Sequence, residues 1–559
     1  MSNRNIYGGY TATSGNADGN SVGISGTVDG NVYGGRANTS GGASGNSVDF
    51  SGNLIFAGGY ITGGYARIGN AVNNSVTIRQ SAVLPTDAGL RGGVANAGYD
   101  AFSGNKLTVE PRSLALAYVN GFEHYELALP AGFSSGGTLI TVTSGAVWST
   151  ILNNPLNESQ LAKFTIHADN ADPLKKAGDY FTVISNTDMV TSGQKYQSTA
   201  TGLRGIGVQY TYNLENQSAR LPGSPEALIA TITGVDVNPQ TRSMTHVSTG
   251  PAVFLNQGAD FIVNQGIDAA LGATAICPDG NCGDGRLPVR VFALSGVNKT
   301  RQKAGGHVDV EGLNLMGGLS LGNDSCELPL TLALFIEYGD GDYDSHADIS
   351  RDRNVDGKGD LSYFGGGILG KAEQLFGGLY VEGSFRYGRY ESEFRNSDFY
   401  VPSYLGGTLP KFDIDGDYYG AHAGLGYVFG LEDMKLDTSV KYLWTRLEGD
   451  SVDVLGDRFR FNDLDSHRLQ TGARLMWNLE EHMVAPYVGA RYEYEFDGEA
   501  SGSVQGFSLP ETDMKGSTGI FDAGIKVGGQ DAVSFDLGLT GTIGQRQSLG
   551  GHASVSWDF

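Results

Sequence analysis

The chain has 559 residues, 40% of them hydrophobic, which is enough apolar material for more than one folded domain. Its formal net charge is -23, from 38 basic and 61 acidic side chains. This balance argues against a nucleic-acid partner, which needs a dense Lys/Arg surface, and against a polybasic membrane-surface segment.

The sequence has no stretch of roughly 18 apolar residues, so no transmembrane helix is predicted. The start, MSNRNIYGGY, lacks the basic and apolar regions of a secretory signal. If the protein is exported, we expect this chain to be a fragment or to begin at a misplaced start.

Residues 1–110 are rich in Gly, Asn and Ser and contain an internal repeat. Segment 31–56 follows 5–30 directly, Asn31 aligns with Asn5, and both copies carry GNSV, so the period is 26 (31 minus 5). Short Val/Ile runs between glycine turns predict one coil of a β-solenoid per repeat. A flexible Gly/Ser linker is the alternative. A linker has no use for the periodic apolar positions Val22, Ile24, Val48, Phe50, Val76 and Ile78.

Residues 111–250 lose the glycine repeat and contain longer strand-like runs, such as GTLITVTSGAVW and EALIATITGVDV. We interpret them as less regular coils that cap the solenoid, because open strand edges would otherwise pair with another chain. The segment 251–273, PAVFLNQGADFIVNQGIDAALGA, is the best helical candidate, since its apolar residues do not alternate. Its internal glycines and few charges suit an enclosed place.

Segments with period-two alternation recur from residue 286 to the end. Leu332, Leu334 and Ile336, for example, share a face opposite Phe335 and Glu337. Alternation fits both a soluble sandwich with an apolar core face and a membrane barrel with an apolar lipid face. Twelve segments are predicted, near 289–301, 307–321, 328–340, 360–371, 377–393, 416–430, 434–449, 465–479, 484–499, 514–528, 532–546 and 549–559.

The connections favour the barrel over the sandwich. Those after even-numbered segments are short, such as GLED and GQDA, whereas several after odd-numbered segments are long, such as DGDYDSHADISRDRNVDGKG. Tight turns at one rim and long polar loops at the other are typical of outer-membrane barrels. Strands of roughly 10 to 16 residues also exceed the usual sandwich length. Aromatic pairs such as Trp557 with Phe559, in the terminal SVSWDF, favour the membrane interface.

Two motifs are candidates for cross-linking or metal binding. Cys277 and Cys282 in CPDGNC are close enough to form a disulfide in an oxidising compartment, or they are two unpaired loop residues. The sequence DRNVDGKGD resembles the first half of a calcium loop, with Gly357 at the turn. Tyr363 stands where the bidentate glutamate is expected, so a solvated acidic loop is the alternative. The calcium candidates are Asp352, Asn354, Asp356 and Asp360.

Together these features resemble an autotransporter of the type V secretion family of Gram-negative bacteria, and the resemblance covers nearly the whole chain. It implies an all-β protein with a right-handed parallel β-helix as passenger and a 12-stranded antiparallel transmembrane barrel. The implied domains are solenoid repeats at 1–110, a capping, autochaperone-like region at 111–250, a linker with a pore-spanning helix at 251–285, and the barrel at 286–559.

The resemblance implies that the barrel lies in the outer membrane and exports an adhesin-like passenger to the cell surface. The alternatives are a porin-like channel with an N-terminal plug, or an autotransporter with an enzymatic passenger. The N-terminal region carries no H-E-x-x-H motif, and we expect no enzymatic activity. No cofactor is expected beyond the calcium candidate.

The implied partners are outer-membrane lipid, the barrel assembly machinery, periplasmic chaperones and a host or cell-surface ligand, but no nucleic acid. A monomeric barrel is expected, with Val555, Trp557 and Phe559 as its assembly signal. Charged residues that face inward are expected to form a hydrated network around the helix, although unpaired groups facing lumen water are the alternative. They are Glu337, Glu382, Arg386, Lys441, Arg474, Arg491, Glu493, Asp522 and Lys526.

Overall fold

The computed structural model describes residues 4–143, 153–168, 175–185, 196–217, 227–271, 289–323, 329–350, 353–431, 433–477, 484–528 and 533–559. The chain forms two compact units. The first is Met1–Asn238 with Val401–Thr408 and Leu455–Asp457, and the second comprises Pro239–Tyr400, Leu409–Val454 and Arg458–Phe559. Within the described ranges, no helix combines the length and the apolar character needed to cross a membrane.

The first unit is a solenoid whose repeats stack in parallel, as the sequence predicted. Ser21 pairs with Ser47 and Ser47 with Ser75, so the copies of the repeat lie directly above one another. The strands are β1 (Ile6–Thr11), β2 (Ser21–Ile24), β3 (Thr27–Val28), β4 (Val32–Ala37), β5 (Ser47–Phe50), β6 (Asn53–Leu54), β7 (Tyr60–Ala66), β8 (Ser75–Ile78), β9 (Gly89–Ala95), β10 (Lys106–Val109), β11 (Leu114–Leu116), β12 (Tyr118–Asn120), β13 (His124–Ala128), β14 (Thr138–Val142), β15 (Asn153–Asn154), β16 (Asn157–Leu161), β17 (Lys163–His167), β18 (Tyr180–Ser185), β19 (Thr199–Arg204), β20 (Val208–Asn216) and β21 (Ala227–Val237).

The repeated Gly-Asn dipeptide marks one corner of each coil. Gly19 and Gly45 both have φ +68°, and Gly104 has φ +67°, so each corner needs the left-handed conformation that glycine adopts without cost. In the third copy Asn73 takes this place with φ +57°, which asparagine tolerates best among the other residues. The apolar positions of the repeat, such as Val48 and Val76, are buried between the coils.

The interpretation of 111–250 as further coils is right only in part. Strand β17 still pairs in parallel with β13, and β18 with β14. The last strands pair antiparallel instead, β19 with β20 and β20 with β21. An antiparallel hairpin cannot continue the parallel stack, so it ends the solenoid and covers its open edges.

The second unit contains a helix that begins well before the predicted 251. It consists of an α-helix over Arg242–Phe261, a π-helical turn over Ile262–Gly266 and an α-helix over Ile267–Leu271, after a 3-10 turn at Pro239–Thr241. In the polar stretch before Pro251, hydroxyl groups bond to carbonyls one turn earlier, so they are satisfied within the helix. Ser243 Oγ donates to Gln240 O at 2.9 Å, and Thr245 Oγ1 donates to Arg242 O at 2.8 Å.

Twelve antiparallel strands form a closed barrel, which confirms the predicted strand number. The first pairs with the last, Val291 opposite Trp557, and the Phe559 N–H donates to Val289 O at 2.9 Å. Closure removes both sheet edges. The barrel strands are β22 (Val289–Lys303), β23 (Gly306–Asn323), β24 (Leu330–Ser350), β25 (Arg353–Ala372), β26 (Leu379–Asn396), β27 (Lys411–Leu431), β28 (Met434–Leu447), β31 (Leu464–Trp477), β32 (Val484–Glu495), β37 (Gly516–Gly528), β38 (Val533–Gly544) and β39 (Arg546–Asp558). Shorter elements between them are a 3-10 turn (Ser403–Leu405), β29 (Ser451–Val454), β30 (Asp457–Phe461), β33 (Glu499–Ala500), β34 (Gly502–Val504), β35 (Phe507–Ser508) and β36 (Thr512–Asp513).

The exposed fractions of alternate residues show which face of the sheet is the outer wall of the barrel and which face lines the lumen. On β24, Leu334 is 65% exposed on the outer wall, whereas Glu337 is 2% exposed inside the barrel. An apolar exterior around a charged interior is the arrangement of a membrane barrel, whereas a sandwich would bury its apolar face.

The predicted long connection between the third and fourth barrel segments is wrong, because β24 and β25 extend through most of it. Outward positions along β24 change from leucine and isoleucine to Asp340, Asp342 and Asp344, so alternation continues with polar side chains outside. Gly357 lies in extended β25 opposite Ser345, so the turn on which the calcium prediction depended is absent. Asp352 lies outside the described residues, as do Cys277 and Cys282.

Candidate functional site in the barrel lumen

The helix runs through the lumen and is buried along its described length, as the resemblance implied. Its glycines lie where large barrel side chains approach. A Cβ at Gly258 would come within 2.5 Å of the Tyr363 hydroxyl, and one at Gly266 within 2.9 Å of the Met316 sulfur. The glycines that made the helix look unsuited to solvent therefore let the barrel wall contact the helix backbone.

Asp260, on the helix, is the centre of the first charge cluster. Arg468 donates to Asp260 at 2.7 Å, Gln470 at 3.0 Å and Arg546 at 2.5 Å. Glu493, on the barrel wall, binds the same two guanidinium groups, at 3.1 Å from Arg468 and 3.0 Å from Arg546. Two carboxylates and two arginines thus neutralise one another at a buried position, which is how charges are tolerated inside a barrel.

Asp268, two helical turns further on, is the centre of the second cluster. Arg474 and Lys526 both lie 2.9 Å from its carboxylate. Arg474 also contacts Asp522 at 3.1 Å, and Arg491 contacts Asp522 at 3.0 Å. Because one carboxylate is on the helix and the cations are on three different strands, the cluster defines both the depth and the rotation of the helix.

Two more cations of the wall bind backbone carbonyls of the helix. Arg386 pairs with Glu337 at 3.1 Å and donates to Leu255 O at 2.6 Å. Lys441 pairs with Glu382 at 2.7 Å and donates to Val263 O at 3.1 Å. Val263 belongs to the π-helical turn.

The structure places all nine predicted charged residues inside the barrel, each in an ion pair, so the alternative of unpaired groups does not apply to them. Sequence reasoning missed Asp260, Asp268, Arg468, Arg546 and His422. The sequence did indicate these ion pairs, because Asp260 and Asp268 are the only two acidic residues within 251–273. If that helix is enclosed, both must find cationic partners. His422 lies 3.5 Å from Glu382.

The remaining predicted residues that the structure describes lie outside the lumen. Asp356 bonds to His346 at 2.9 Å, while Asp360 pairs with Arg395 at 3.2 Å, so these two carboxylates do not meet at one calcium position. The predicted assembly residues Val555, Trp557 and Phe559 are on the outer wall. The rings of Trp557 and Phe559 stack with their centroids 4.7 Å apart.

The closed barrel, its helix-filled lumen and its charge clusters coincide with one family match. Residues 295–554 match the family model described as the autotransporter β-domain. The barrel is an autotransporter β-domain. The chain accordingly has a C-terminal autotransporter β-domain, which lies in the outer membrane, and an N-terminal β-solenoid passenger.

Several solved structures of autotransporter domains match about half of this chain. The β domain of the Bordetella autotransporter BrkA is 16% identical, with 48% of this chain and 99% of that chain covered and a TM-score of 0.37. The translocator domain of NalP from Neisseria meningitidis is 16% identical, with 56% and 99% covered and a TM-score of 0.40. The transport unit of AIDA-I from Escherichia coli is 13% identical, with 54% and 99% covered and a TM-score of 0.37. No curated protein matches the sequence.

Proposed function

We propose that the β-domain exports the passenger and then keeps the helix as a fixed plug, so that the protein displays a binding surface and is not an open channel. The observation that carries this proposal is the pair of helix carboxylates, Asp260 and Asp268, each held by two barrel cations. A solute channel would need a passage in the place that the helix occupies. The passenger is proposed to be adhesin-like and without catalytic activity.

An aromatic flank of the solenoid supports the binding role. Tyr7 and Tyr33 stack with their centroids 5.1 Å apart on successive coils. Arg36 lies 4.9 Å from the Tyr33 ring and 5.0 Å from the Tyr65 ring. Such cation–π contacts fix guanidinium groups and ring edges in place before any ligand arrives.

The same flank continues further along the solenoid. Arg91 lies 4.1 Å from the Tyr60 ring and 4.9 Å from the Tyr118 ring. Tyrosines and arginines repeated from coil to coil match the needs of a repetitive, hydroxyl-rich or acidic ligand, such as a surface polysaccharide. We therefore infer that the half-buried members of this tyrosine–arginine flank, Tyr7, Arg36, Tyr60, Tyr65 and Arg91, supply the adhesive contacts, while the buried Tyr33 and Tyr118 hold the two guanidinium groups in place.

Conductance tests the plugged barrel against the porin-like alternative. The full chain in a planar lipid bilayer is expected to conduct only weakly, whereas Asp260→Asn with Asp268→Asn loosens the helix and raises conductance. Arg389→Gln, on the exposed outer wall, is the matched control and should conduct like the parent chain. An equally high conductance of the parent chain and the double variant would favour the channel.

Adhesion by Gram-negative cells that display the chain tests the flank. Arg36→Gln with Arg91→Gln should reduce adhesion to polysaccharide-coated surfaces several-fold, since both guanidinium groups are lost. Arg67→Gln, at an exposed position of the same solenoid, is the control. Unchanged adhesion of the double variant at equal surface amounts would contradict the assignment of this flank.

A further inference from the structure

A second charged region lies on the outer wall of the barrel, beyond the apolar band. The outward residues of β24 are apolar as far as Tyr338 and become acidic from Asp340 onward. On β22 and β23 the same level is marked by Lys299 and Glu311, which pair at 2.6 Å. Charged pairs are not stable against hydrocarbon, so this collar of the barrel is in water.

Two histidines and an aspartate come together in this collar. His307 lies directly opposite His346 in the register of β23 and β24, and Asp309 follows on the same face of β23. One ligand atom from each of the three side chains lies within 4.8 Å of the others. The two rings are stacked, with centroids 4.4 Å apart and an interplanar angle of 29°. Because paired strands hold all three residues, little ordering is needed before an ion binds.

A neighbouring carboxylate orients one of the imidazoles. His346 Nδ1 lies 2.9 Å from Asp356 Oδ1, and the Asn354 amide donates to the same oxygen at 3.2 Å. An ionised carboxylate can only accept, so Nδ1 carries the proton and the lone pair of Nε2 is available to a metal. A carboxylate behind a ligating histidine is a recurring support of metal sites.

Arg301 competes with an ion for the third ligand. Its Nε and Nη2 donate to the two oxygens of Asp309 at 2.7 and 2.6 Å. A carboxylate has about four lone-pair positions, so it can ligate a metal while it still accepts from an arginine. Arg301 is half exposed and can also move away into solvent.

We propose that His307, Asp309 and His346 form a surface binding site for a divalent transition-metal ion, which clips β23 to β24 near the turn that joins β22 to β23. Two imidazoles and one carboxylate suit Zn²⁺, with water completing a tetrahedral set. The site is separate from the lumen and is assigned no catalytic step. Its role is to stabilise the collar of the barrel.

Calorimetric titration of the metal-free full chain in detergent with Zn²⁺ tests the proposal. We expect one saturable site, with affinity at least about tenfold weaker in His307→Gln and in His346→Gln. Asp356→Asn should weaken binding by about 10- to 100-fold. Arg301→Gln should tighten it, because this substitution frees Asp309 and removes a nearby positive charge.

His467→Gln is the matched control, because His467 is also on the outer wall but is bonded to Tyr442. It should leave the affinity for Zn²⁺ unchanged. The proposal fails if the parent chain shows no saturable site, if His467→Gln weakens binding as much as His307→Gln does, or if Arg301→Gln weakens it. The Arg301 substitution gives an answer even if a histidine variant folds poorly.

Discussion

The solenoid and the barrel lumen both bury polar side chains, but they satisfy them in different ways. In the solenoid, the corner asparagines form a ladder in which each carboxamide oxygen accepts from the asparagine of the preceding coil. Asn46 donates to Asn74 Oδ1 from both its backbone N and its Nδ2 at 3.0 Å, and Asn74 donates to Asn105 Oδ1 at 2.8 and 3.1 Å. In the lumen, buried carboxylates and guanidinium groups form clusters that differ from one another in composition, and all of them surround one helix.

The difference follows from what each region must specify. A neutral ladder makes the same contact at every coil, so it fixes the stacking without preferring one coil over another. Charged clusters have a single arrangement in which every buried charge finds a partner, so they fix one position of one helix.

Asp260→Ala should have the largest effect on stability. It leaves Arg468 and Arg546 buried with Glu493 as their remaining carboxylate partner, and breaking a buried pair in this way costs about 3–5 kcal/mol. The temperature at which the barrel loses its folded band on a semi-native gel should fall clearly. Asp260→Asn keeps the shape of the side chain, so it measures the effect of losing the charge alone. A folded band that persists to the same temperature in Asp260→Ala would show that the helix is held by packing alone.

Asn74→Ala should destabilise the solenoid by about 2–4 kcal/mol, because two donors of Asn46 then lose a buried acceptor. Asn16→Ala is the control, since the Gly42 N–H that its Oδ1 accepts at 2.9 Å is exposed and can bond to water instead. Urea unfolding followed by circular dichroism measures both variants in the full chain. Equal losses in the two variants would contradict the ladder as the main constraint.

The repeated region could be predicted from the sequence to a larger extent than the lumen could. The Gly-Asn corners recur in the chain itself, so coil stacking and register follow from the 26-residue offset between Ser21 and Ser47. The period-two alternation likewise predicted the twelve barrel strands and which residues of each strand face inward. The partners of Asp260 could not be inferred, because Arg468 and Arg546 are more than 200 positions away and the barrel closure alone brings them together.

The extent of the helix was underestimated for a related reason. The hydroxyl-rich residues 242–249 carry no apolar pattern, and they are helical because the barrel wall encloses them. His246 illustrates this, since its ring nitrogens bond to Ser345 Oγ at 2.6 Å and Ala304 O at 2.8 Å, both on barrel segments. Such tertiary contacts leave no trace in a local window of sequence.

Acid should weaken the solenoid, because two of its buried side chains, His167 and Glu126, can take up a proton. Burial lowers the pKa of His167 to about 4, while Leu203 N donates to its Nδ1 at 3.0 Å. Burial acts to raise the pKa of Glu126, but Lys106 at 2.5 Å outweighs it and leaves that pKa below its usual value. Both groups bind protons more readily when unfolded. The contribution of His167 is therefore complete above about pH 6.5 and is lost as the pH falls toward 4, whereas that of Glu126 is lost only below its ordinary pKa of 4.5.

His167→Gln should flatten this pH dependence, which we expect to amount to on the order of 2 kcal/mol between pH 6.5 and 4. Thermal unfolding of the full chain across that window measures it. Glutamine preserves an acceptor for Leu203 and does not titrate. A variant that loses as much stability as the parent chain over this window would show that other carboxylates dominate the response to acid.

Removing an arginine–carboxylate pair from the outer wall should have the smallest effect, although its geometry matches that of the lumen. Arg389 lies 2.6 Å from Asp415, much as Arg468 lies 2.7 Å from Asp260, but the Arg389 side chain is 69% exposed and that of Arg468 is 3% exposed. Arg389→Gln should cost under about 1 kcal/mol, because water replaces the lost partner. The small cost should shrink further in high salt. A loss as large as that of Asp260→Ala would mean that burial does not set the strength of these pairs.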